Sequence, residues 1–269
     1  MSEPATAAPG ELHSRLARAL LTARDTRSPI APLTESEPDL SIPDAYVIAQ
    51  LGVAADVAAG ARPVGHKIGL TAAAVQRQLG VDRPDYGALL DTMAIADGAT
   101  IDPDEYIAPR IEVELAFRLG AALPGPDVSA ADVRAATESV HPSFELVDSR
   151  IADWRIKLAD TVADRASSAG YVIGDNGLAP GALELDAVEV ALERNGEVVH
   201  TGSSSAVLGD PCAAVAWLAN AVSALGEPLQ AGEIVLSGAI TPMLSVAAGE
   251  RYRARFGSGL GELTLEVGA

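Results

Sequence analysis

The sequence contains little basic charge and almost no cysteine. Its 269 residues include 19 lysines and arginines but 37 aspartates and glutamates, so the formal net charge is −18. Because no basic stripe is available to neutralise phosphates, the composition argues against a nucleic-acid partner and against binding to an anionic membrane surface. The single cysteine, Cys212, excludes an intramolecular disulfide, and we expect it to be a small core residue.

Long apolar runs are also scarce. The N-terminus has no apolar signal core, and no run is expected to be long enough to span a bilayer, so the sequence predicts a soluble cytoplasmic protein. The hydrophobic fraction of 48% is nevertheless ample for a sizeable core. A chain of this length fits one large domain, or a core domain with a smaller N-terminal part.

Lysine is the rarest of the charged residue types. Only Lys67 and Lys157 are lysines among the 19 basic residues. A lysine can lower its pKa on burial and move a proton, whereas an arginine cannot. The scarcity is explained either by coding bias and chance or by a need for an ammonium group at one of these sites, and the residues alone leave both explanations open.

Helical spacing dominates the first part of the chain. Residues 1–10 are small and polar and predict a disordered tail. Ser41, followed by Pro43 and Asp44, is typical of a helix start. The elements expected before residue 93 are helices over 11–24, 41–59 and 71–79, a strand over 64–68, and loops over 26–39 and 81–87.

From about residue 93 the pattern is that of strands, and Asn195-Gly196 between two apolar runs is a strong hairpin signal. The chain is therefore predicted to be α+β, with a tail over 1–10, an N-terminal helical part over 11–92 and a β-rich core over 93–269. The expected strands are 93–96, 107–119, 142–148, 170–173, 187–193, 197–201, 233–237, 244–246, 251–256 and 261–267, with helices over 130–139 and 211–225.

Two carboxylates lie two residues apart in an apolar, β-branched run, at Glu112 and Glu114. In a strand, such residues point to the same face, and two adjacent like charges in an apolar setting are costly unless a positive group joins them. Glu145 lies in a similar apolar run. Three converging glutamates are typical of a Mg²⁺ or Mn²⁺ site. The alternative is that each glutamate pairs with an arginine such as Arg110 or Arg150.

Four other segments are candidates for chemistry, and each has a structural alternative. Lys67 lies between Gly65 and Gly69, which permit a close approach to a ligand, but it could also be a snorkelling surface lysine. The other three segments are 81–87, which could be an ordinary turn, 160–168, whose hydroxyls could bind a carboxylate or cap a helix, and 237–242, which could line a pocket or simply turn.

Several familiar catalytic motifs are missing from the sequence. The segment around Lys67 lacks the spacing of a phosphate-binding loop. The four histidines show no H-x-x-H or H-E-x-x-H spacing, and no G-x-S-x-G elbow is present. These absences argue against a P-loop enzyme, a histidine-ligated zinc protease and a Ser-His-Asp hydrolase.

Taken together, the segments resemble the 2-keto-4-pentenoate hydratase and 4-oxalocrotonate decarboxylase family, within the fumarylacetoacetate hydrolase superfamily. They occur in the order of that family from about residue 40 to the C-terminus. The matching segments are GHKIGLTAAAVQRQLGVDRPDYGALLDTM, PRIEVELAF, FELVDSRIADWRIKLADTVADRASSAGYVIG, TGSSSAVLGDPCAAVAWLAN and AGEIVLSGAITPMLSVAAGE.

The resemblance implies a role for each of these segments. It implies that Lys67 and Asp85 face the substrate as acid–base groups. The metal ligands that it implies, for Mg²⁺ or Mn²⁺, are Glu112, Glu114 and Glu145. The substrate-binding residues that it implies are Leu70, Ser167, Ser168 and Thr241, with the two serines near the substrate carboxylate.

The resemblance also implies a fold and an activity. The fold is a β-rich mixed roll of the fumarylacetoacetate hydrolase C-terminal-domain type, with the N-terminal helical part acting as a lid. The activity is that of a hydro-lyase, which adds water to a 2-hydroxy-2,4-dienoate to give a 4-hydroxy-2-oxoalkanoate in the catabolism of aromatic or related compounds. Relatives are homo-oligomers, so we expect a homo-oligomer, and a complex with a neighbouring pathway enzyme is a further expectation.

Three alternatives to the hydratase are considered. A 4-oxalocrotonate-type decarboxylase, a carboxy-lyase, would share the metal site but would have to seat a second carboxylate, for which Arg150, Arg165 and Lys157 are candidates. A non-catalytic partner subunit would have no reason to retain the site residues. An acylpyruvate-type C–C hydrolase would need a Glu-His pair that is not obvious here. His66 and Arg165 depart from the family pattern near the expected pocket, and they bear on the substrate more than on the chemistry.

Overall fold

The computed structural model describes residues 9–72, 76, 81 and 83–269 of the chain. Most of the predicted tail over 1–10 and most of the predicted helix over 71–79 therefore lie outside the described residues.

Three helices form the N-terminal part: α1 (Glu11–Thr26), α2 (Leu33–Ser36) and α3 (Ile42–Ala58). The Ser41 hydroxyl accepts a hydrogen bond from the backbone N–H of Asp44, which is why α3 begins where the sequence predicts. The apolar faces of α1 and α3 are buried together with the helix α5 (Leu158–Ala163), through Leu16, Ile48 and Val162. The helix α2 lies inside the region predicted as a loop over 26–39, and that prediction is wrong for these four residues.

Most of the remaining elements are strands. Beyond α5, the other helices are α4 (Ala130–Ala136) and α6 (Pro211–Ser223). The strands are β1 (Pro63–Gly69), β2 (Asp85–Leu90), β3 (Ala94–Ile95), β4 (Thr100–Ile101), β5 (Arg110–Leu119), β6 (Thr137–Val147), β7 (Ser168–Ile173), β8 (Glu189–Arg194), β9 (Glu197–Ser203), β10 (Ile234–Leu236), β11 (Leu244–Ser245), β12 (Arg251–Phe256) and β13 (Gly261–Val267).

The strands form two mixed sheets that share one core. The larger sheet has the order β2-β1-β10-β5-β6-β7-β3, with β11 also paired to β5, and the smaller has the order β4-β13-β12-β8-β9. Phe117 of β5, Tyr252 of β12 and Leu263 of β13 belong to the same buried cluster, as does Leu218 of α6. Along β5, apolar side chains from Ile111 to Leu119 alternate with Arg110, Glu112, Glu114 and Arg118, and the apolar face is the one buried in this shared core. The architecture confirms the predicted α+β fold with a β-rich core.

Long-range pairing changed the boundaries of two predicted elements. The helix predicted over 130–139 ends at Ala136, because Thr137 begins β6 and pairs with Leu119 of β5. The loop predicted over 81–87 is wrong at its end, since Asp85 begins β2 and pairs with Gly69 of β1. Both β1 and β2 belong to the larger sheet, although they lie before residue 93, in the part of the chain predicted to be helical.

The helical stretch Ser204–Ser223 is long and apolar enough, by length and composition, to cross a membrane. The expectation that no run reaches this length is therefore wrong. However, 56% of the stretch is buried within the protein, and Cys212, Val215 and Leu218 of α6 lie in the main core. This is how the core helix of a globular protein behaves, and it confirms Cys212 as a buried core residue.

Candidate active site

The strands β5 and β6 bring the three predicted glutamates together. In the antiparallel register, Glu112 lies opposite Glu145, and Glu114 lies opposite Ser143. One carboxylate oxygen from each glutamate lies within 4.8 Å of the other two. Glu114 and Glu145 are completely buried. The sequence predicted the shared face of Glu112 and Glu114, and the strand register adds Glu145 to it.

Lys67 is the cation that joins the glutamates. Its Nζ atom lies 3.2 Å from Glu145 Oε2, and the residue is buried on β1. Burial lowers the pKa of Lys67, but the negative charges of Glu145 and Asp85 raise the pKa more, so it lies above its ordinary value. Lys67 is therefore held in its ammonium form and is not a snorkelling surface lysine.

Neither arginine considered as a partner neutralises the glutamates. Arg150 forms a buried ion pair with Asp164, and the Arg110 guanidinium lies over the Trp154 ring. Among the described residues, Lys67 is the one cation that forms an ion pair with a member of this glutamate cluster. The alternative in which each glutamate pairs with an arginine is therefore wrong.

The buried glutamates carry more negative charge than Lys67 offsets. Burial raises the pKa values of Glu112 and Glu114, and it raises the pKa of Glu145 to about 7 although the Lys67 ammonium opposes that rise. The backbone N–H of Gly238 donates to Glu114 Oε2 at 2.7 Å. Within the described part of the chain, Glu114 Oε1 and Glu145 Oε1 have no hydrogen-bond partner. Such oxygens fit a hard divalent cation, whose ligands are carboxylates.

Asp85 lies beside Lys67 at the start of β2, opposite Gly69. It is buried, and the Thr161 hydroxyl donates to its Oδ2 at 3.4 Å. Burial raises the pKa of Asp85 above its ordinary value, although the charge of Lys67 lowers it. A Cβ atom at Gly69 would lie 2.2 Å from Asp85 Oδ1 and 3.4 Å from Lys67 Nζ. Glycine at this position is therefore what allows both side chains to face the same space.

A cavity of about 330 Å³ adjoins these groups. Lys67, Asp85 and Glu112 line it, and so do three of the four predicted substrate-binding residues, Leu70, Ser167 and Thr241. The rest of its wall is mostly apolar. Ile240 and Pro242 in this wall belong to the segment 237–242, for which the sequence left a pocket lining open. The larger apolar side chains in the wall that the sequence reasoning missed are Trp154, Ile156 and Met243. Trp154 and Ile156 lie within a segment that carries the family resemblance, but nothing in the sequence indicated that they face the site.

The fourth predicted substrate-binding residue, Ser168, does not line this cavity, although its side chain lies beside the Glu145 carboxylate. It begins β7, is buried, and lines a second cavity of about 370 Å³ that Arg165 and Arg150 also line. Its neighbour Ser167 faces the first cavity because the backbone of Arg165, Ala166 and Ser167 is left-handed, with φ angles of 55°, 51° and 56°. Non-glycine residues in this conformation are strained and cluster at ligand sites.

The two residues that departed from the family pattern, Arg165 and His66, do not line the first cavity, and neither does Lys157, a candidate for seating a second carboxylate. The Arg165 guanidinium donates to Asp56 of α3 and does not line the first cavity. His66 lies on the opposite face of β1 from Lys67, with its Nδ1 3.9 Å from Glu233 Oε2, and burial lowers its pKa to about 4. Lys157 is exposed at the start of α5. In the described residues, Lys67 is the one cation that lines the cavity.

Comparison with known proteins gives consistent results. The family model for the fumarylacetoacetate (FAA) hydrolase C-terminal domain matches residues 67–268. The chain is 44% identical over 250 residues to the 2-keto-4-pentenoate hydratase of Paraburkholderia xenovorans strain LB400, covering 93% of each chain. It is 46% identical over 240 residues to the 2-hydroxyhexa-2,4-dienoate hydratase of Comamonas testosteroni, covering 88% of this chain and 89% of that protein.

One solved structure has nearly the same fold. The 4-oxalocrotonate decarboxylase from Pseudomonas putida G7, complexed with magnesium and adipate, superposes with a TM-score of 0.94. The two sequences are 34% identical, and the match covers 97% of this chain and 99% of that one.

Proposed function

The chain belongs to the fumarylacetoacetate hydrolase family, and from that membership we propose that it is a hydro-lyase that requires a divalent metal ion. Its reaction is the addition of water to a 2-hydroxy-2,4-dienoate, which gives a 4-hydroxy-2-oxoalkanoate. The identity to hydratases over nearly the whole chain supports this reaction. The corresponding role is a step in the catabolism of aromatic or related compounds.

The metal site in this proposal consists of Glu112, Glu114 and Glu145, with Mg²⁺ or Mn²⁺ as the ion. The mutual approach of their oxygens within 4.8 Å supports the assignment, as does their burial without enough positive charge. When bound, the ion supplies Lewis-acid stabilisation of negative charge on the 2-oxo group of the substrate. Gly238, which donates to Glu114, and Lys67, which pairs with Glu145, orient the two buried ligands.

Lys67 and Asp85 move the protons in this proposal. The reaction first removes the proton of the 2-hydroxyl and delivers a proton to C5, which converts the dienol into a conjugated 2-oxo-enoate. Water then loses one proton as its oxygen adds at C4, and C3 gains a proton. Both side chains line the cavity and are buried, so bulk water does not compete with them for the transferred proton. In this proposal Ser167 and Thr241 hydrogen-bond the substrate carboxylate, and their position in the wall of the same cavity supports that role.

The wall of the cavity favours hydration over decarboxylation. A decarboxylase of this family must seat a second carboxylate, and a buried carboxylate needs a cation or several donors. The cation in the described wall is Lys67, which is already paired with Glu145, and the far wall is apolar. Decarboxylation remains the second candidate, because the decarboxylase from Pseudomonas putida G7 has nearly the same fold.

The deciding experiment offers the purified protein two substrates, 2-hydroxypenta-2,4-dienoate and 4-oxalocrotonate, each with Mg²⁺ and with chelator. We expect the dienoate chromophore to disappear only with Mg²⁺, and little CO₂ to be released from 4-oxalocrotonate. Release of CO₂ with the larger kcat/KM would replace the hydratase by the decarboxylase. Full activity in chelator would contradict the metal requirement.

We also propose that the protein is cytoplasmic, and that it forms a homo-oligomer and associates with a neighbouring pathway enzyme. Of the part predicted as a lid over 11–92, we propose this role for the helices α1 to α3, because β1 and β2 belong to the larger sheet of the core. The packing of α1 and α3 against α5, which carries Thr161 beside Asp85, supports a lid. Sedimentation velocity on the purified protein tests the oligomer.

A further inference from the structure

One end of the cavity is closed by two side chains that a third holds in place. Trp154 and Met243 line the cavity. The Arg110 guanidinium carbon lies 4.3 Å from the centre of the Trp154 ring, and Arg110 Nη1 lies 3.4 Å from Met243 Sδ. A guanidinium over an indole face is an attractive cation–π contact. Arg110 therefore ties together two parts of the wall that come from distant parts of the chain.

The Trp154 ring also makes a hydrogen bond through its indole nitrogen. Its indole N–H donates to the Ala108 carbonyl at 3.0 Å. The Ala108 N–H in turn donates to the buried Asp148 carboxylate at 2.7 Å. The backbone is left-handed at both Asp153 and Trp154, with φ angles of 59° and 55°. Two consecutive non-glycine residues persist in this conformation only where their surroundings enforce it, so the ring has a fixed position.

The position of Trp154 relative to the glutamates follows from β5. Arg110 and Glu112 are two residues apart on the same face of that strand, which places them about 7 Å apart along it. Trp154 and Glu112 line the same cavity, so the ring under Arg110 forms the part of the wall on the Arg110 side of Glu112. A substrate whose carboxylate end lies at Glu112 would direct its C5 end towards Trp154.

We propose that Trp154 is a specificity-determining residue that limits the length of the substrate's tail, and that Arg110 and Met243 hold it across the end of the cavity. This inference rests on the proposed hydratase function. The wall formed by Trp154 selects 2-hydroxydienoates that carry only hydrogen or a short, uncharged alkyl group at C5. The Arg110 guanidinium contacts Trp154 and Met243, and its charge also acts on Glu112, whose pKa it lowers against the effect of burial.

The first test compares tail lengths by steady-state kinetics with Mg²⁺. The substrates are 2-hydroxypenta-, 2-hydroxyhexa- and 2-hydroxyocta-2,4-dienoate. For the wild type we expect kcat/KM to fall about tenfold or more at the octadienoate, since a pocket wall discriminates by this order for each added carbon group. Trp154→Ala should remove most of that fall. Trp154→Phe, which keeps a ring under Arg110, should preserve it.

Met243→Ala provides a second variant that opens the same wall, in case Trp154→Ala does not fold. It should relax the preference in the same direction. An unchanged tail preference in a folded Trp154→Ala or Met243→Ala protein would overturn the proposal.

The second test does not depend on turnover. The chain has two tryptophans, so Trp217→Phe leaves Trp154 as the sole tryptophan, whose emission can be excited apart from that of the five tyrosines. Titration of this variant with 2-oxohexanoate and Mg²⁺ should change the Trp154 emission. Calorimetric binding without any change in emission would overturn the proposal. A saturated 2-oxo acid has no carbon–carbon double bond to which water could add, so this test measures binding and not turnover. It therefore stands even if the wild type hydrates none of the dienoates. Failure of the proposed wall and failure of the proposed hydratase reaction are then distinguishable.

A substitution of Arg110 distinguishes this proposal from the alternative in which Arg110 binds a second carboxylate of the substrate. Arg110→Gln should relax the tail preference in the same direction as Trp154→Ala. If Arg110 instead seats a second carboxylate, the wild type will release CO₂ from 4-oxalocrotonate and Arg110→Gln will lose that activity at least about tenfold. That result would overturn the assignment of Arg110 and Trp154 as the end wall.

Discussion

Lys67 is the residue on which the electrostatics of the site depend. Three glutamates surround a small volume, and in the described residues the Lys67 ammonium is the cation paired with them. Breaking a buried ion pair by removing one partner is costly, because the remaining charge stays buried without compensation. The role of Lys67 in catalysis and its role in stability can be separated by two different substitutions.

Lys67→Met should lower the free energy of unfolding by about 3–5 kcal/mol in chelator, because it leaves Glu145 buried without its partner. Lys67→Arg keeps the positive charge but cannot readily release a proton, so kcat should fall about 10²–10⁴-fold while the fold is kept. Urea unfolding and steady-state kinetics measure the two effects.

The other lysine supplies the matched control. Lys157 is exposed, and Lys157→Arg should leave both stability and turnover near wild-type values. If Lys67→Arg also turned over at the wild-type rate, Lys67 would have a positioning role and no role in proton transfer.

Among the elements, α5 connects the N-terminal helices to the site. Asp160 is completely buried at its first turn and accepts hydrogen bonds from the N–H and the hydroxyl of Thr34 and from the N–H of Lys157. The next residue, Thr161, donates to Asp85. The docking of the N-terminal part and the position of an active-site carboxylate therefore depend on the same short helix.

Asp160→Ala should destabilise the protein by about 2–4 kcal/mol, because three buried donors lose their acceptor. Thermal and urea unfolding measure the loss. Glu35→Ala, which removes a half-exposed ion pair with Arg155, is the control and should cost less than about 1 kcal/mol. Equal effects of the two substitutions would mean that Asp160 is not the anchor.

A second contact between elements predicts a pH dependence. Asp56 of α3 lies between Arg24 of α1 and Arg165. Burial raises the pKa of Asp56, but the hydrogen bonds and charges of the two arginines lower it more, so it lies below its ordinary value. A carboxyl group whose pKa is lower in the folded state than in the unfolded state stabilises the fold at pH values above its unfolded-state pKa. This contribution is lost as the pH falls through the folded-state pKa.

The wild type should therefore be more stable than Asp56→Asn at pH 7, and the difference should shrink once the pH falls below about 4. Urea unfolding of both proteins from pH 3 to pH 7 tests this. A difference that is constant over that range would show that the ionisation of Asp56 does not contribute.

In the whole molecule, the apolar face of β5 lies in the core that the two sheets share, and the opposite face of β5 and β6 carries the three glutamates, of which Glu114 and Glu145 are completely buried. Burial raises the pKa values of all three glutamates, which means that folding without a metal is opposed by their ionisation. The proposed cation would relieve that cost and should stabilise the entire fold.

Mg²⁺ at about 100 times its dissociation constant should raise the free energy of unfolding by about 2.7 kcal/mol. Glu112→Gln should lose most of this gain together with metal-dependent turnover. In chelator, however, the variant should be as stable as the wild type or more so, because one of three like charges has been removed. Glu35→Gln, at an exposed position, should keep the full gain. Thermal unfolding with and without Mg²⁺ measures these differences, and an undiminished gain in Glu112→Gln would contradict the metal site.

Features that depend on neighbouring residues could be predicted from the sequence. The two-residue period of a strand places Glu112 and Glu114 on one face, Asn195-Gly196 forms the turn between β8 and β9, and Ser41 caps α3. Lys67, Glu145 and the segment that contains Asp85 were candidates from the sequence itself, and the family resemblance implied their roles, which periodicity alone does not connect. Their roles stay predictions, and the structure brings all five site residues together.

Only the tertiary structure decided which groups meet across the chain. The register of β6 on β5 places Glu145 opposite Glu112, and the pairing of β2 with β1 draws Asp85 out of an apparent loop and beside Lys67. Packing also turned Arg150 and Arg165 towards Asp164 and Asp56, away from the cavity.

The scarcity of lysine, the paired glutamates and the alternation of the strands were determined by the sequence itself, because they are properties of composition and of short-range geometry. The cavity wall at Trp154 was determined by folding, because Arg110, Met243 and Ala108 become its neighbours only when distant strands pair.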